Sequence, residues 1–324
     1  MVDHIRWGVL GASAFARGQM ARAIHAAEGA ELFALATSSP EKAEGFRAFA
    51  PRLRVHDSYE ALLADPEVDA VYVPLPNHLH VDYALKSLDA GKPVLVEKPL
   101  GLRAEDFDPV IAKRNETGIL AAEAYMIVHH PQMQRARELV RSGTIGDLVH
   151  ADCAFAFNIA GVDDNIRNRA ETGGGALPDI GVYAFGSVRF VTGEEPDSIL
   201  DASIRFENDV DTFAQVSARF PSFHYSGMVS TRAFARQRLT FHGTKGLIEL
   251  TCPFNANVHD LAELHLQTDS ASRTIERWPT ANHYVLQVEA FGRALRGEEA
   301  YPCPLEFSRG TQEMIDMVYA AARR

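Results

Sequence analysis

The first third of the chain alternates short apolar runs with longer amphipathic stretches, and this alternation restricts the possible folds more than any other feature. The apolar runs have the length of buried strands, and the amphipathic stretches have the spacing of crossover helices. Strand–helix units repeated in this way form a parallel sheet that carries helices on its faces. Residues 1–124 are therefore predicted to form an α/β domain. The predicted strands are Ile5–Leu10, Glu31–Ala36, Ala70–Pro74 and Pro93–Val96, and the predicted helices are Ala14–Ala27, Pro40–Ala48, Tyr59–Ala64, His78–Ala90 and Ala104–Thr117.

The pattern changes after about residue 125, where predicted strands follow one another without helices between them. Leu148–Phe157 alternates along its length, which places Val149, Ala151, Cys153, Phe155 and Phe157 on one face. Strands joined by short turns favour an open, mostly antiparallel sheet. Residues 125–324 are therefore predicted to form an α+β domain, whose two C-terminal amphipathic helices are candidates to pack back on the first domain. The other predicted strands are Ser198–Phe206, Asp211–Arg219, His224–Ser230, Arg238–His242, Leu247–Thr251 and Glu263–Leu266.

Composition excludes several classes of function. The 324 residues include 32 Lys and Arg against 43 Asp and Glu, a formal net charge of -11. A chain this acidic has no general attraction for nucleic acid or for an anionic membrane, and it contains no apolar run of about 18 residues. Its cysteines, Cys153, Cys252 and Cys303, lack the paired spacing of zinc sites and disulfide frameworks. We expect a cytoplasmic protein of enzyme size without a metal, nucleic-acid or membrane partner.

The segment Gly8–Ala16 predicts a dinucleotide site. It runs from the first strand through a glycine turn into a helix, and a pyrophosphate needs this geometry because backbone N–H groups at a helix N-terminus bind it. Gly11 and Ala16 fill the first and third positions of G-x-G-x-x-G/A, while Ser13 replaces the second glycine with a small residue whose hydroxyl is able to bond a phosphate. A plain glycine turn is the alternative. The predicted cofactor contacts here are Gly11, Ala12, Ser13, Ala14 and Phe15.

The end of the second predicted strand indicates which dinucleotide is preferred. NAD sites usually place Asp or Glu there for the ribose 2′-hydroxyl. This chain has Thr37 and Ser38 at that point and Lys42 one helical turn later. Hydroxyls and a lysine suit a 2′-phosphate, so NADP is the predicted cofactor and NAD the alternative. Ser39 also has the side chain of an N-cap residue for the helix that begins at Pro40.

Four motifs then occur in an order that is typical of one enzyme family. They are Gly8–Ala16, Pro74–His80 (PLPNHLH), Glu97–Pro99 (EKP) and Gly173–Tyr183 (GGGALPDIGVY). On these motifs the chain resembles, over essentially its whole length, the glucose–fructose oxidoreductase, inositol dehydrogenase and rhizopine-catabolism family (Gfo/Idh/MocA). Tyr183 stands where many members have histidine, as in the subgroup that contains dimeric dihydrodiol dehydrogenases and NADP-dependent D-xylose dehydrogenases.

The resemblance implies a Rossmann fold for the first domain and a catalytic group of Lys98, Asp179 and Tyr183. Lys98 would lie beside the nicotinamide and the substrate hydroxyl, Asp179 would orient Lys98 or the substrate, and Tyr183 would be the acid/base. A phenol has an ordinary pKa of about 10, and a neighbouring ammonium favours its ionised form. The structural alternatives are a solvated lysine, an N-cap aspartate and a core tyrosine.

Further residues are implied as binding groups. His78 and His80 are two positions apart after a strand, with no carboxylate or cysteine at ligand spacing, so we interpret them as cleft residues rather than zinc ligands. A solvated loop is the alternative for Arg167. The further predicted cofactor contacts are Thr37, Ser38, Lys42, Pro74, Asn77, His80, Glu97 and Lys98, and the predicted substrate contacts are His78, Tyr125, His130, Arg167, Asp179 and Tyr183.

The activity that the resemblance implies is hydride transfer between NADP and a sugar or polyol, most like that of an aldose (D-xylose type) 1-dehydrogenase. A keto-sugar reductase and a trans-dihydrodiol dehydrogenase are alternatives of the same class. An NAD-dependent glycosidase and a non-catalytic dinucleotide sensor are alternatives of other classes. A homodimer or homotetramer through the open sheet is expected, because an uncovered sheet face would otherwise be an exposed apolar patch.

Overall fold

The computed structural model describes residues 4–162 and 164–322. The chain forms two compact units, one made of Met1–Met126 and His283–Arg309 and the other of Ile127–Asn282 and Gly310–Arg324. No helix in the described part of the chain has the length and apolar character needed to cross a membrane. Its cysteines are buried free thiols, and no group of three or more His, Cys, Asp or Glu in the two described ranges has the arrangement of a metal site.

The first unit contains a six-stranded parallel sheet with the strand order β3-β2-β1-β4-β5-β6. This order is that of the Rossmann fold, and it reverses between β1 and β4, where the carboxyl ends of the strands leave a crevice for a dinucleotide. The predicted fold class is confirmed for this unit. The strands are β1 (Ile5–Leu10), β2 (Ala30–Ala36), β3 (Arg54–His56), β4 (Ala70–Val73), β5 (Val94–Glu97) and β6 (Ala121–Ala124).

Nine α-helices are found in the described ranges. The first begins after a π-helical stretch, Ala16–Met20, and the fourth begins after a 3-10 turn, Asn77–Leu79. The eighth packs within the first unit, where Phe291 lies 5.1 Å from Trp7 between ring centroids. The helices are α1 (Ala21–Ala26), α2 (Pro40–Arg47), α3 (Tyr59–Leu63), α4 (His80–Asp89), α5 (Phe107–Thr117), α6 (Pro131–Arg141), α7 (Val182–Thr192), α8 (His283–Leu295) and α9 (Leu305–Ala322).

The second unit contains an eight-stranded sheet with the order β14-β13-β12-β11-β7-β10-β9-β8. Neighbouring strands are antiparallel except for β7 and β10, which run parallel. The predicted mostly antiparallel sheet is therefore confirmed. Its strands are β7 (Leu148–Asn158), β8 (Ser198–Glu207), β9 (Val210–Arg219), β10 (His224–Ser230), β11 (Arg232–Gly243), β12 (Leu247–Leu250), β13 (Glu263–Gln267) and β14 (Thr274–Arg277).

The central strands of this sheet have both buried and exposed positions. Ala151, Cys153 and Phe155 of β7 are buried, whereas Val149, which was predicted on the same face, is exposed. The residues that alternate with buried ones on β7, β9 and β10 include Asp152, Ser217 and Ser226, which line a shallow cavity on the sheet. The strands of this sheet also expose large apolar side chains, among them Leu200, Phe206 and Phe234, so an apolar face available for assembly stays a prediction.

Candidate functional site

The turn that follows β1 has the geometry of a phosphate-binding loop. Gly11 has a φ of +99°, and a Cβ at this position would lie 3.0 Å from the Leu75 side chain. The hydroxyl oxygen of Ser13 accepts a hydrogen bond from the Ala16 amide at 3.0 Å. Ser13 thus caps the helical stretch, and its own hydroxyl hydrogen remains a donor. Gly11 is buried, Ala12 and Ser13 are half-buried, and Ala14 and Phe15 are exposed, so the predicted loop is accessible from Ala12 onward.

The segment after β2 is organised by its own side chains. The hydroxyl oxygen of Thr37 accepts from the Ser39 amide at 3.2 Å. Ser39 caps α2 by accepting from the Lys42 amide at 3.3 Å, and its hydroxyl donates to Glu41 at 2.9 Å. The capping interpretation of Ser39 is therefore confirmed. The side chains of Ser38 and Lys42 are exposed.

The side chain of Arg17, which the sequence analysis did not single out, packs beside α2. Arg17 lies in the π-helical stretch Ala16–Met20, and a Cβ at Gly45 of α2 would lie 2.8 Å from the Arg17 Cδ and 3.1 Å from its Nη1. The Arg17 side chain therefore runs over α2 at a point where only glycine leaves room for it. Lys42 lies three residues before Gly45, on the same side of the helix. The sequence signal was a glycine inside a predicted helix, which often marks such a close approach.

His80 joins the two segments that follow β4 and β5. It is 1% exposed. Its Nδ1 lies 2.7 Å from the carbonyl oxygen of Pro99, and its Nε2 lies 2.7 Å from that of Leu75. Burial lowers the pKa of His80 to about 4, so the neutral ring donates its single N–H to one of these carbonyls. Both ring nitrogens of His80 thus face backbone oxygens in the interior, and its contact with a cofactor stays a prediction.

The carboxyl of Glu97, at the end of β5, lies directly before Lys98. Its Oε1 accepts from the Tyr72 hydroxyl at 2.6 Å, and its Oε2 accepts from the Lys98 amide at 3.3 Å. Burial raises the pKa of Glu97 to about 7, although the bond from Tyr72 opposes the rise. Glu97 is therefore partly protonated near neutral pH and is able to donate or accept. Lys98 is half-buried.

The remaining residues predicted after β4 differ in exposure. Pro74 is buried directly after the strand. Asn77 is half-buried in the 3-10 turn, and His78 in the same turn is exposed. Asn77 and His78 are thus accessible at the carboxyl edge of the parallel sheet, as a binding role requires.

In the second unit, Asp179 is paired with Arg167. The Arg167 Nε donates to the Asp179 Oδ2 at 2.6 Å, and the side chains are 38% and 10% exposed respectively. Asp179 lies inside a π-helical turn, Leu177–Gly181, that leads into α7, so its predicted place as the helix N-cap is wrong. The guanidinium of Arg167 is thus partly exposed and at the same time bonded to this carboxylate.

Tyr183, four residues after Asp179, is 6% exposed and lies among aromatic rings. Its ring centroid is 5.8 Å from that of Phe155 and 5.7 Å from that of Phe254. These rings fix the plane of the phenol. Lys98 belongs to the first unit, and Asp179 and Tyr183 belong to the second.

Two predicted substrate contacts lie in the interior instead. Tyr125 is 2% exposed and its ring lies 6.1 Å from that of Phe307. His130 is fully buried and is the N-cap of α6, where its Nδ1 accepts from the Gln132 amide at 3.2 Å. Its ring meets Trp278 edge-on at 6.4 Å. Burial lowers the pKa of His130 to about 4. Both side chains therefore have partners inside the fold, and their contacts with a substrate stay predictions.

Comparison with known proteins finds relatives along the whole chain. A family model described as "Oxidoreductase family, NAD-binding Rossmann fold" matches residues 5–125, and one described as "GFO/IDH/MocA C-terminal domain" matches residues 133–249. An uncharacterized oxidoreductase of Rhizobium meliloti is 35% identical over 100% of this chain and 98% of its own length. The NADP(+) D-xylose 1-dehydrogenase 2 of Haloferax volcanii is 32% identical over 98% of this chain and 97% of its own length.

A solved structure has the same architecture. It is a 3-ketoreductase from Actinomadura kijaniata in complex with NADP and TDP-benzene, and it matches with a TM-score of 0.89 and 26% identity. The match covers 98% of this chain and 98% of that chain. Both units of the present structure therefore have counterparts in a protein that was crystallised with NADP.

Replacing His80 by alanine tests the link between the segments after β4 and β5. The variant leaves the carbonyls of Leu75 and Pro99 without the imidazole, and a buried group that loses its hydrogen bond costs about 1–3 kcal/mol. We expect the melting temperature in calorimetry to fall by several degrees, at roughly 2–4 °C per kcal/mol. The exposed His78 supplies the matched control: His78→Ala should melt within about a degree of the wild type. Equal melting of His80→Ala and the wild type would contradict the link.

The buried His130 should make stability depend on pH. Its pKa is about 4 in the folded protein and about 6.5 in an unfolded chain. Between these values the unfolded chain binds one more proton, so the free energy of unfolding falls as the pH drops from 6.5 towards 4, by up to about 3 kcal/mol. The measurement is denaturant unfolding across that range.

The matched variant for this test is His130→Asn, since asparagine is a good N-cap and does not titrate. As the pH falls, the wild type should lose more unfolding free energy than the variant, because only the wild type has a histidine at position 130. The other titrating groups are the same in both proteins, so their contributions cancel in the difference. A difference that stays constant with pH would refute the role of His130.

Proposed function

This chain belongs to the Gfo/Idh/MocA oxidoreductase family, and on that premise we propose that it is an NADP-dependent dehydrogenase of sugars or related polyols, most like an aldose 1-dehydrogenase. One observation carries the proposal: Asp179 is held by Arg167 at 2.6 Å in the helical segment that also bears Tyr183. An acid/base tyrosine one turn from a fixed carboxylate suits proton transfer at a hydroxyl. The relative that oxidises D-xylose supports the choice of an aldose.

The residues of the first unit fit a dinucleotide. The accessible part of the turn, Ala12–Phe15, lets a pyrophosphate approach the first amides of the helical stretch, which have no partner within the helix. Ser13 adds a hydroxyl donor beside the Ala16 amide that it caps. The half-buried Asn77 and the partly protonated Glu97 are the further groups we assign to the cofactor. When bound, the cofactor supplies or accepts the hydride.

We assign the adenosine 2′-phosphate to Arg17, Ser38 and Lys42. The three side chains are exposed, and the Arg17 guanidinium is packed on the same side of α2 as Lys42. No acid stands at the tip of β2, where an NAD site usually needs one for the 2′-hydroxyl. The NADP in the related 3-ketoreductase and in the name of the xylose dehydrogenase supports the same choice.

In this proposal Tyr183 takes the proton of the substrate hydroxyl during oxidation and returns it during reduction. Phe155 and Phe254 hold its ring, so little entropy is lost when the hydroxyl is aligned with the substrate. Lys98 stabilises negative charge on the reacting oxygen as it forms. Asp179, fixed by Arg167, orients a substrate hydroxyl.

Reduction of a keto-sugar is the second candidate, because the structurally similar enzyme from Actinomadura kijaniata is a 3-ketoreductase. The same groups would act in the opposite direction, with Tyr183 as the proton donor. Oxidation of a trans-dihydrodiol stays an alternative of this class. An NAD-dependent glycosidase would release sugar without net change in the cofactor, and a sensor would bind the cofactor without turnover.

We also propose a cytoplasmic homodimer or homotetramer. Buried free thiols at Cys153, Cys252 and Cys303 are typical of a reducing compartment. An assembly through the open sheet would cover polar side chains such as Asp152 and Ser226 and exposed apolar side chains such as Leu200 and Phe206. Light scattering of the purified chain measures the number of subunits.

Tyr183→Phe tests the assignment of the acid/base. The wild type should reduce NADP⁺ with at least one aldose in a panel of aldoses, inositols and dihydrodiols. Loss of general acid/base catalysis should lower kcat by about 100-fold or more, while the Kd for NADPH stays within about twofold. Lys98→Ala should also lose turnover.

The matched control is Tyr225→Phe, which removes another buried tyrosine hydroxyl that bonds to α7, at Ala184. This variant should keep kcat within about twofold. Full activity of Tyr183→Phe would refute the assignment. If the wild type neither oxidises nor reduces any sugar and still binds NADPH tightly, the result would favour a sensor.

Arg17→Ala tests the assignment of the 2′-phosphate. A charged hydrogen bond to phosphate is worth about 1.5–3 kcal/mol, so the Kd for NADPH should rise about tenfold or more while the Kd for NADH changes little. Fluorescence titration measures both values. Arg22→Ala is the matched control, because Arg22 lies in α1 of the same helical stretch and its guanidinium covers the Phe49 ring instead. Tighter binding of NADH than of NADPH by the wild type would overturn the proposal.

A further inference from the structure

The helical segment that bears Asp179 and Tyr183 is held at its start by a carboxylate from another element. Asp211, in β9, is 2% exposed. Its Oδ2 accepts a hydrogen bond from the Leu177 amide at 2.7 Å, and the Ala176 amide also donates to this carboxylate. A helix start usually receives such bonds from its own N-cap residue. Here the N-cap residue is Ala176, whose side chain has no oxygen that accepts a hydrogen bond.

The donors of the first turn are thereby accounted for. The amides of Ala176 and Leu177 donate to Asp211, Pro178 has no N–H, and the Asp179 amide donates to the Gly175 carbonyl at 3.2 Å. Buried amides need partners. The position of this turn therefore depends on the position of the Asp211 carboxylate.

Two neighbours restrict that carboxylate in turn. The Tyr319 hydroxyl, in α9, donates to the Asp211 Oδ1 at 2.6 Å. A Cβ at position 175 would lie 2.2 Å from the same oxygen, which leaves no room for a side chain. Gly175 also has a φ of +132°, a backbone conformation that other residues rarely adopt, so glycine is required there. Burial raises the pKa of Asp211, and the bonds from Tyr319 and Leu177 oppose that rise.

We propose that Asp211 is a positioning residue, held by Tyr319, that sets the place of Asp179 and Tyr183 for the reaction. The inference rests on the proposed function, because it needs Asp179 and Tyr183 to be the working groups. It links the last helix of the chain to the acid/base tyrosine through one carboxylate. A small displacement of a reacting group lowers the rate strongly even when the change lies far from the chemistry.

The decisive variant is Tyr319→Phe, which removes one donor to Asp211 and leaves the carboxylate and the helix sequence intact. We expect kcat to fall about tenfold, while KM for the sugar and Kd for NADPH stay within about twofold. Tyr225→Phe is the matched control, since it also removes a tyrosine hydroxyl bonded to this helical segment, but at Ala184, beyond Tyr183. Its kcat should remain within about twofold of the wild type.

Asp211 itself is tested by a pair of variants. Asp211→Asn keeps an acceptor for the Leu177 amide and should retain kcat within a few-fold, whereas Asp211→Ala should lose about 100-fold or more. If Asp211→Ala does not fold, the comparison of Tyr319→Phe with Tyr225→Phe decides. Equal kcat in those two variants, whether lowered or unchanged, overturns the positioning role.

A readout without turnover separates this inference from the proposed function. The near-ultraviolet phenolate absorbance of Tyr183 is obtained as the difference between each protein and its Tyr183→Phe counterpart during a pH titration. The ionisation of Tyr183 should shift by about half a unit or more in Tyr319→Phe and not in Tyr225→Phe, because only the first change alters the surroundings of the phenol. If the wild type turns over no substrate, the proposed function fails, and this titration alone upholds or overturns the control of Tyr183 by Asp211.

Discussion

Backbone groups that leave regular structure in the interior need hydrogen-bond partners, and polar side chains from neighbouring elements supply them in both units. The ring of His80 lies between carbonyls of the segments after β4 and β5 and donates its N–H to one of them. Glu123, in β6, accepts from the Leu100 amide at 2.7 Å. In the second unit, Asp211 and Gln237 accept from the amides of Leu177, Phe254 and Asn255. These side chains hold the loops that carry the candidate functional groups.

The alternation of apolar runs and amphipathic stretches predicted the Rossmann sheet and the open second sheet, because both depend on which faces are buried. The sequence pattern missed strands whose residue types do not indicate a buried face. Ala121–Ala124 has the composition of a helix but pairs beside β5. Arg54–His56 and Thr274–Arg277 are short, charged strands at the edges of their sheets. Such segments become strands because a neighbouring strand offers hydrogen bonds, and that neighbour is not visible in the local sequence.

The motifs located the candidate residues better than they assigned their roles. A histidine in a motif has the same letter whether its nitrogens face a ligand or a buried carbonyl, and His80 and His130 both proved to face backbone groups. Asp179 was expected to orient Lys98 or the substrate, and the structure adds an ion pair with Arg167, which lies in a short 3-10 turn that the motifs do not include. Arg17 and Asp211 were missed because their importance comes from distant neighbours, Gly45 and Gly175, which only the fold brings close.

The carboxyl of Glu97 has one more consequence. A group that is half-ionised near neutral pH exchanges protons with the buffer whenever a nearby charge changes. A ligand that brings positive charge beside Glu97 favours its carboxylate and releases a proton, whereas a neutral ligand does not. With Glu97 assigned to the cofactor as proposed, the heat of binding is expected to depend on the ionisation enthalpy of the buffer, and the oxidised and reduced forms of the nicotinamide are expected to differ in the number of protons released on binding.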